Sequence, residues 1–213
     1  MRLKEAFATF VAPRALHILL AVSVLSNVLF VWRLYFPSAL DDLLAAMQSP
    51  PALRPSDHVR GNPQAKVTVI VYTDFQCPYC ARLDAAMRSP EHLGSTRQVY
   101  RHFPLASHPQ AAAAAEAAEC AGAQGRFWEY SDALFSAGAE LGKNGAFSGL
   151  ASGLALNLKE FDDCLAAGKF RQRVAEQLAE GRQRRIRGTP TFFVNGQRFS
   201  GVLPDDALKK VFQ

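Results

Sequence analysis

The stretch VIVYTDFQCPYC, Val69 to Cys80, changes character halfway along. It begins inside a run of β-branched and aromatic residues, Lys66 to Tyr72, which predicts a strand. A short polar loop follows, then two cysteines at the spacing that puts both on the first turn of a helix. Pro78 sits where a helix best tolerates proline, because first-turn N–H groups have no intrahelical partner to lose. Cys77 would lie at the positive end of the helix dipole, near free backbone N–H groups, which favours thiolate over thiol. Cys80, one turn further in, can attack a mixed disulfide formed on Cys77. Taken alone, the pattern fits either a redox site or half of a zinc site.

The chain of 213 residues is long enough for one sizeable core, or for one domain with an appendage. Its composition is that of a globular protein, and the formal charge of +5 is spread over several segments. Nothing in that charge calls for nucleic acid as a partner. There are no internal repeats. With four cysteines in all, the compartment decides between disulfide and zinc chemistry.

The N-terminus speaks to the compartment. Ala15 to Trp32 contains no Asp, Glu, Lys or Arg, and as a helix it would run roughly 27 Å, close to the ~30 Å hydrocarbon core of a bilayer. Arg2, Lys4 and Arg14 precede it; Arg33, Asp41 and Asp42 follow. The positive-inside bias therefore predicts a cytoplasmic tail and signal-anchor helix over residues 1–36, with membrane contact through 15–36 and everything later outside. A cleaved signal peptide is the alternative, but the run ends in Trp32-Arg33-Leu34-Tyr35-Phe36 without a small-residue cleavage site. Ser23 and Asn27 share a helix face and are read as polar groups tolerated in a single span rather than as glue between anchors. Either fate exports the remainder, from an inner-membrane tether towards the periplasm or extracellular side, where disulfides persist. Residues 37–60 read as a semi-stiff linker, with a short helix over Asp41 to Met47 and prolines at 50, 51 and 55.

Beyond the CxxC helix, which runs to about Arg88, Thr96 to Phe103 alternates and predicts a second strand. Strand, helix, strand makes a βαβ unit with a right-handed crossover. From His108 to Arg187 the pattern is helical: His108 to Ala123, Arg126 to Ser136, Phe147 to Leu156, Lys159 to Ala167 and Phe170 to Ile186, with Gly138 to Gly145 as a loop. Thr191 to Val194 and Gln197 to Ser200 then form a hairpin about Asn195-Gly196, and Pro204 to Phe212 closes the chain as an amphipathic helix. Phe127, Trp128 and Tyr130 read as packing residues. His102 and His108 read as a strand-end and a helix-start residue, with the active-site rim as the alternative. The run RQRRIR, Arg182 to Arg187, reads as a solvated helix face, with anionic lipid as the alternative.

This order resembles the thioredoxin fold with a helical insertion, and specifically the DsbA family of exported thiol oxidoreductases. The resemblance rests on DFQCPYC at 74–80, RHFPL at 101–105, AAECAGAQGRFWEYSDALF at 117–135, FDDCLAAGKF at 161–170 and GTPTFFVNGQRFSG at 188–201. It implies an α/β, thioredoxin-like domain over 61–213 with an all-helical insertion at about 106–187, preceded by a single transmembrane helix. It implies Cys77 and Cys80 as the catalytic pair, supported by Pro78, Tyr79, Thr189 and Pro190. The Thr189–Pro190 bond would be cis, the one kind of peptide bond where cis is cheap. The Thr189 backbone would offer an unpaired edge to an extended substrate peptide. In parts of the family a cysteine pair at the places of Cys120 and Cys164 forms a second disulfide; two buried thiols are the alternative here. Zinc would need a second paired donor set, and no histidine lies within four residues of either cysteine. No metal and no cofactor are implied.

One position departs from the family pattern. Thioredoxins and many DsbA relatives carry a buried acid six residues before the first cysteine, where this chain has Val71. Asp74 lies nearer but in the loop, and is read as a cap on the CxxC helix. The expected activity is disulfide exchange with exported unfolded or reduced proteins, the pair being renewed by a membrane redox partner. A reductase or isomerase kept reduced by a membrane donor is the alternative. A peptide-binding chaperone module is the third reading.

Overall fold

The computed structural model describes residues 3–35 and 51–212. The chain divides into two units, Met1–Gln48 and Ser49–Gln213.

The first unit contains α1, Leu3–Tyr35. Its described apolar side chains, from Ile18 to Tyr35, are all exposed. The Asn27 side-chain amide donates to the Ser23 backbone carbonyl at 2.9 Å, one turn back in the same helix. Among the described residues no helix is long and apolar enough to cross a membrane. The helix expected over Asp41 to Met47 lies outside the described residues.

The second unit is built on a five-stranded sheet in the order β1-β3-β2-β4-β5. The strands are β1 (Val59–Gly61), β2 (Val67–Thr73), β3 (Thr96–His102), β4 (Thr191–Val194) and β5 (Gln197–Ser200). β2 and β3 run parallel from Val67 opposite Thr96 to Thr73 opposite His102. The remaining neighbours are antiparallel. The crossover from β2 to β3 carries α2 (Pro78–Met87) and α3 (Pro90–Ser95). The insertion follows as α4 (Ala111–Gly122), α5 (Phe127–Ala137), a 3₁₀ turn over Gly138–Gly142, α6 (Ala146–Gly153), α7 (Leu158–Ala166) and α8 (Arg171–Gln183). Helix α9 (Asp205–Val211) ends the chain.

β2 lies in the middle of the sheet and is covered on both faces, which is why it reads as an unbroken apolar run. Val69 and Val71 point into the larger core with Leu83, Tyr130 and Phe192. Ile70 and Tyr72 point into a smaller one with Val99, Phe103 and Phe193, against which Leu178 of α8 packs. Gly181 of α8 is where that helix comes closest: a Cβ there would lie 2.5 Å from Phe103 Cδ2.

The segment before the sheet departs from the sequence reading, which left it in the linker. β1 pairs with β3 through Val59 opposite Val99. Arg101, fully buried, donates to Asp57 at 2.7 Å, to Glu180 at 2.8 Å and to the Ala52 carbonyl at 2.8 Å. A buried guanidinium needs such partners, and the chain from 52 onward supplies them. Three strand residues give no periodicity to read, so β1 was invisible. By contrast, α3 left a signal in Ser89-Pro90-Glu91, a side-chain cap followed by proline and an acid in the first turn.

Candidate active site

Cys77 is the N-cap of α2, with Pro78 at the first helical position. The Cys77 N–H donates to the Asp74 carbonyl at 3.0 Å, and the Ala81 N–H donates to the Cys77 carbonyl at 3.1 Å. Both thiols are free and almost wholly buried, while Tyr79 between them is exposed, with Arg82 lying over its ring at 4.7 Å. Facing them is the loop before β4, where the Thr189–Pro190 bond is cis. The Cys77 thiol donates to the Thr189 carbonyl at 3.4 Å. The structure thus brings Cys77, Pro78, Tyr79, Cys80, Thr189 and Pro190 together at one end of the sheet.

The two sulfurs differ in how they hold a proton. The Cys80 thiol, donating to Cys77, is the largest influence on that residue. Burial opposes it, but the Thr189 hydroxyl and the N–H groups of Cys80 and Tyr79 add to it, and Cys77 is lowered to about 5. The Thr189 hydroxyl is buried with no partner while Cys77 keeps its proton, so it is free to turn to a thiolate. Cys80 is pushed up strongly, first by burial and then by the neighbouring Cys77, against a smaller opposing hydrogen bond from Thr73. At neutral pH the reduced pair therefore carries one thiolate and one thiol.

Asp74 does not cap α2, whose N-cap makes no side-chain hydrogen bond. Its buried carboxylate instead accepts from the Gln76 N–H, the Leu105 N–H and His108 Nδ1, each at 2.8 Å. The Gln110 N–H in turn donates to the Gln76 side chain. Asp74, Gln76 and His108 tie the CxxC loop to the start of the helical insertion, and only the Asx-turn habit of aspartate before a tight loop hinted at it. His102 takes another role: its Nε2 lies 2.9 Å from Glu119, which His58 Nε2 also reaches at 2.9 Å. Burial works against the Glu119 charge, but the two histidines hold the carboxyl at about 2. Val71 is buried beneath the site opposite Tyr100 and Phe192, leaving no acid at its place.

Behind the site, Asp84 lies one turn after Cys80 and is bound by Arg60 at 2.9 Å, by Arg88 and by the Tyr100 hydroxyl. Arg60 also bonds Asp132 of α5 at 2.9 Å and lies 4.4 Å over the Trp128 ring. The helix that carries the cysteines is thereby fixed to β1, β3 and α5. Away from the site, Cys120 of α4 and Cys164 of α7 are joined in a disulfide. Among the described residues no group of His, Cys, Asp and Glu could hold a metal ion.

A cysteine pair at a helix start, facing a cis-proline loop on a βαβ sheet with a helical insertion, defines a DsbA-like thiol–disulfide oxidoreductase. The family model described as thioredoxin matches residues 54–213, and the chain belongs to that family. A thioredoxin-like oxidoreductase from Silicibacter pomeroyi superposes with a TM-score of 0.63 at 25% identity, covering 78% of this chain and 94% of its own. The thiol-disulfide exchange protein alpha-DsbA2 from Wolbachia pipientis shares the fold with a TM-score of 0.68 at 16% identity, covering 81% of this chain and 91% of its own. Among curated relatives, the Na(+)/H(+) antiporter NhaA 1 of Salinispora arenicola is 44% identical over 154 residues, which is 71% of this chain and 24% of that protein. The chain spans about a quarter of the length of such relatives.

Proposed function

We propose that this protein oxidises pairs of cysteines in exported, unfolded or reduced proteins. The observation that carries the reading is the free Cys77–Cys80 pair at the start of α2, with Cys77 against the cis Thr189–Pro190 loop; the lowering of Cys77 to about 5 and the raising of Cys80 agree with it. A substrate thiolate attacks Cys77 Sγ of the Cys77–Cys80 disulfide, forming a mixed disulfide and sending the electron pair to Cys80. Cys80, the sulfur that holds its proton, takes one up there. A second substrate thiolate then attacks the substrate sulfur of the mixed disulfide and expels Cys77 as a stabilised thiolate. The substrate loses two electrons and two protons and gains a disulfide; the protein keeps both electrons and one proton, as the Cys77 thiolate and the Cys80 thiol, and the other proton goes to solvent. A good leaving group at Cys77 favours this direction over reduction. Reoxidation requires an external disulfide or quinone oxidant, which we assign to a membrane partner.

The substrate strand would pair with the backbone of Thr189 beside Cys77, taking over its carbonyl from the Cys77 thiol. We place the domain outside the cytoplasm, tethered through residues 15–36. Support comes from an eighteen-residue apolar run, 15–32, free of Asp, Glu, Lys and Arg, and from the Cys120–Cys164 disulfide, which suits an oxidising compartment.

The test is a Cys80→Ala variant expressed from the full chain, with its mixed-disulfide partners identified, alongside the in-cell redox state of the wild-type pair. Oxidase action predicts trapped exported substrates and a wild-type pair held mostly as disulfide. A pair held mostly as dithiol would reverse the direction. Retention of activity on a reduced, unfolded substrate by Cys77→Ser would remove the thiols from the mechanism altogether.

A further inference from the structure

The basic run at the end of α8 is not one solvated face. Arg184 is ion-paired with Glu180 at 3.2 Å. Arg185 stands in the left-handed region at φ 55°, where its N–H reaches the Arg182 carbonyl and the Ile186 N–H reaches Gly181. That is the helix-ending position where glycine is usual and a side chain costs energy. The turn sends the chain back towards the cis-proline loop, and Arg185 and Arg187 line a cleft of about 370 Å³ with Thr189, Pro190, Ser200 and Arg198. Arg198 is held in place by donating to the carbonyls of Arg184 and Arg185 at 3.0 and 3.1 Å. No acidic residue lines the cleft, and Arg185 and Arg187 have no acidic partner among the described residues. Three exposed arginines, Arg185, Arg187 and Arg198, thus line one cleft with no acid in its walls, together with Thr189, which meets Cys77.

We propose that this cleft reads an acidic side chain on the substrate polypeptide, within about three residues of the cysteine being oxidised. The inference rests on the substrate pairing assigned above and names the class of sequence that the site prefers. Thr189 meets the Cys77 sulfur with its carbonyl and forms part of the cleft wall. A strand laid along it advances about 3.3 Å per residue and alternates its side chains, so of the residues two and three positions from the cysteine only those on one face turn towards the arginines. Arginine forks bind carboxylates in pairs of hydrogen bonds. In a half-open cleft the effect falls mainly on association and on discrimination against basic sequences.

The experiment uses the full chain, oxidised, in a neutral detergent. Its reduction is followed with three cysteine peptides that differ only in carrying Glu, Gln or Lys two and three positions on either side of the thiol. At low ionic strength the rate constant for the Glu peptide exceeds that for the Lys peptide on the order of tenfold. The difference collapses at about 1 M salt, where the Debye length is about 3 Å. Arg187→Glu reverses the order of the peptides, Arg187→Lys keeps it, and Arg185→Gln narrows it should Arg187→Glu fold poorly. Equal rates for the three peptides, or a preference that Arg187→Glu leaves in place, overturn the proposal. So does loss of binding to phosphatidylglycerol vesicles in Arg187→Glu with no peptide preference, which assigns the arginines to lipid. Wild-type reduction by dithiothreitol separates the two levels. If it fails, the exchange reading itself falls, whereas uniform peptide rates beside normal dithiothreitol exchange remove only the cleft.

Discussion

Cys77 and Cys80 share one turn of α2, yet one sits at its entrance and the other in the core, and their protons follow that difference. The largest favourable influence on Cys77 is the thiol of Cys80 itself. In the reduced protein, alkylation of Cys77 is therefore expected to titrate with a midpoint near 5. In Cys80→Ala, which removes that donor, the midpoint moves up towards the ordinary thiol value of about 8.5. The same shift sets how stability depends on pH. A thiol whose folded value is depressed stabilises the fold above its unfolded value and loses that contribution as pH falls through the folded one. The reduced form should thus gain stability relative to the oxidised form as pH rises from about 5, up to the unfolded thiol value of about 8.5. Paired melting curves of the two forms at either end of that window measure it, and a constant difference would refute the thiolate. The cysteine pair and the threonine–proline pair were legible in the sequence because each is a short motif with its own chemistry. Asp74 was legible as a polar loop residue but not in its role, since its partners Leu105 and His108 lie some thirty positions away.

At the scale of elements, β2, β3 and the hairpin of β4 and β5 could be read because strand periodicity and an Asn-Gly turn are local signals. The helices of the insertion were legible for the same reason, to within a few residues at their ends. What could not be read was the partner of each exception inside them. Gly181 looks like a flaw in a charged helix, and only the packing of α8 on Tyr72 and Phe103 explains it. Gly181→Ala is expected to destabilise by about 1–3 kcal/mol, because the added methyl meets rings that are themselves buried; urea unfolding at equilibrium reads this directly. Arg101, in turn, is a charge in a strand whose cost is met by residues 52–57 and α8. Arg101→Ala strands Asp57, itself 1% exposed on its side chain, and should cost about 3–5 kcal/mol. It should also open the segment around Arg54, so that thermolysin cuts before Leu53 (trypsin is no use here, since Pro55 follows Arg54) well before the sheet unfolds. Unchanged cleavage beside a normal midpoint would show that this segment is held by β1 alone.

Across the folded unit, the exchange site and the second disulfide divide the work. The Cys77–Cys80 pair sits where the central strand meets the cis-proline loop, and the proposed exchange requires both sulfurs to cycle. Cys120 and Cys164 lie in the insertion on α4 and α7, 44 positions apart, with Cys120 buried in the main core. Closing a loop of that length removes roughly 4 kcal/mol of chain entropy from the unfolded state. The contribution should therefore appear in stability and not in the chemistry of exchange. Replacing both residues with alanine is expected to lower the unfolding free energy by about 2–5 kcal/mol. The midpoint of Cys77 alkylation should stay near 5, because every group that sets it belongs to α2 or to Thr189. Denaturant titration of the double variant, with alkylation rates measured against pH on the same preparation, tests both halves at once. A shifted thiol midpoint with little loss of stability would mean that the insertion bears on the redox site directly. The insertion would then be part of the mechanism rather than the scaffold that α4, α5 and α8 otherwise make it.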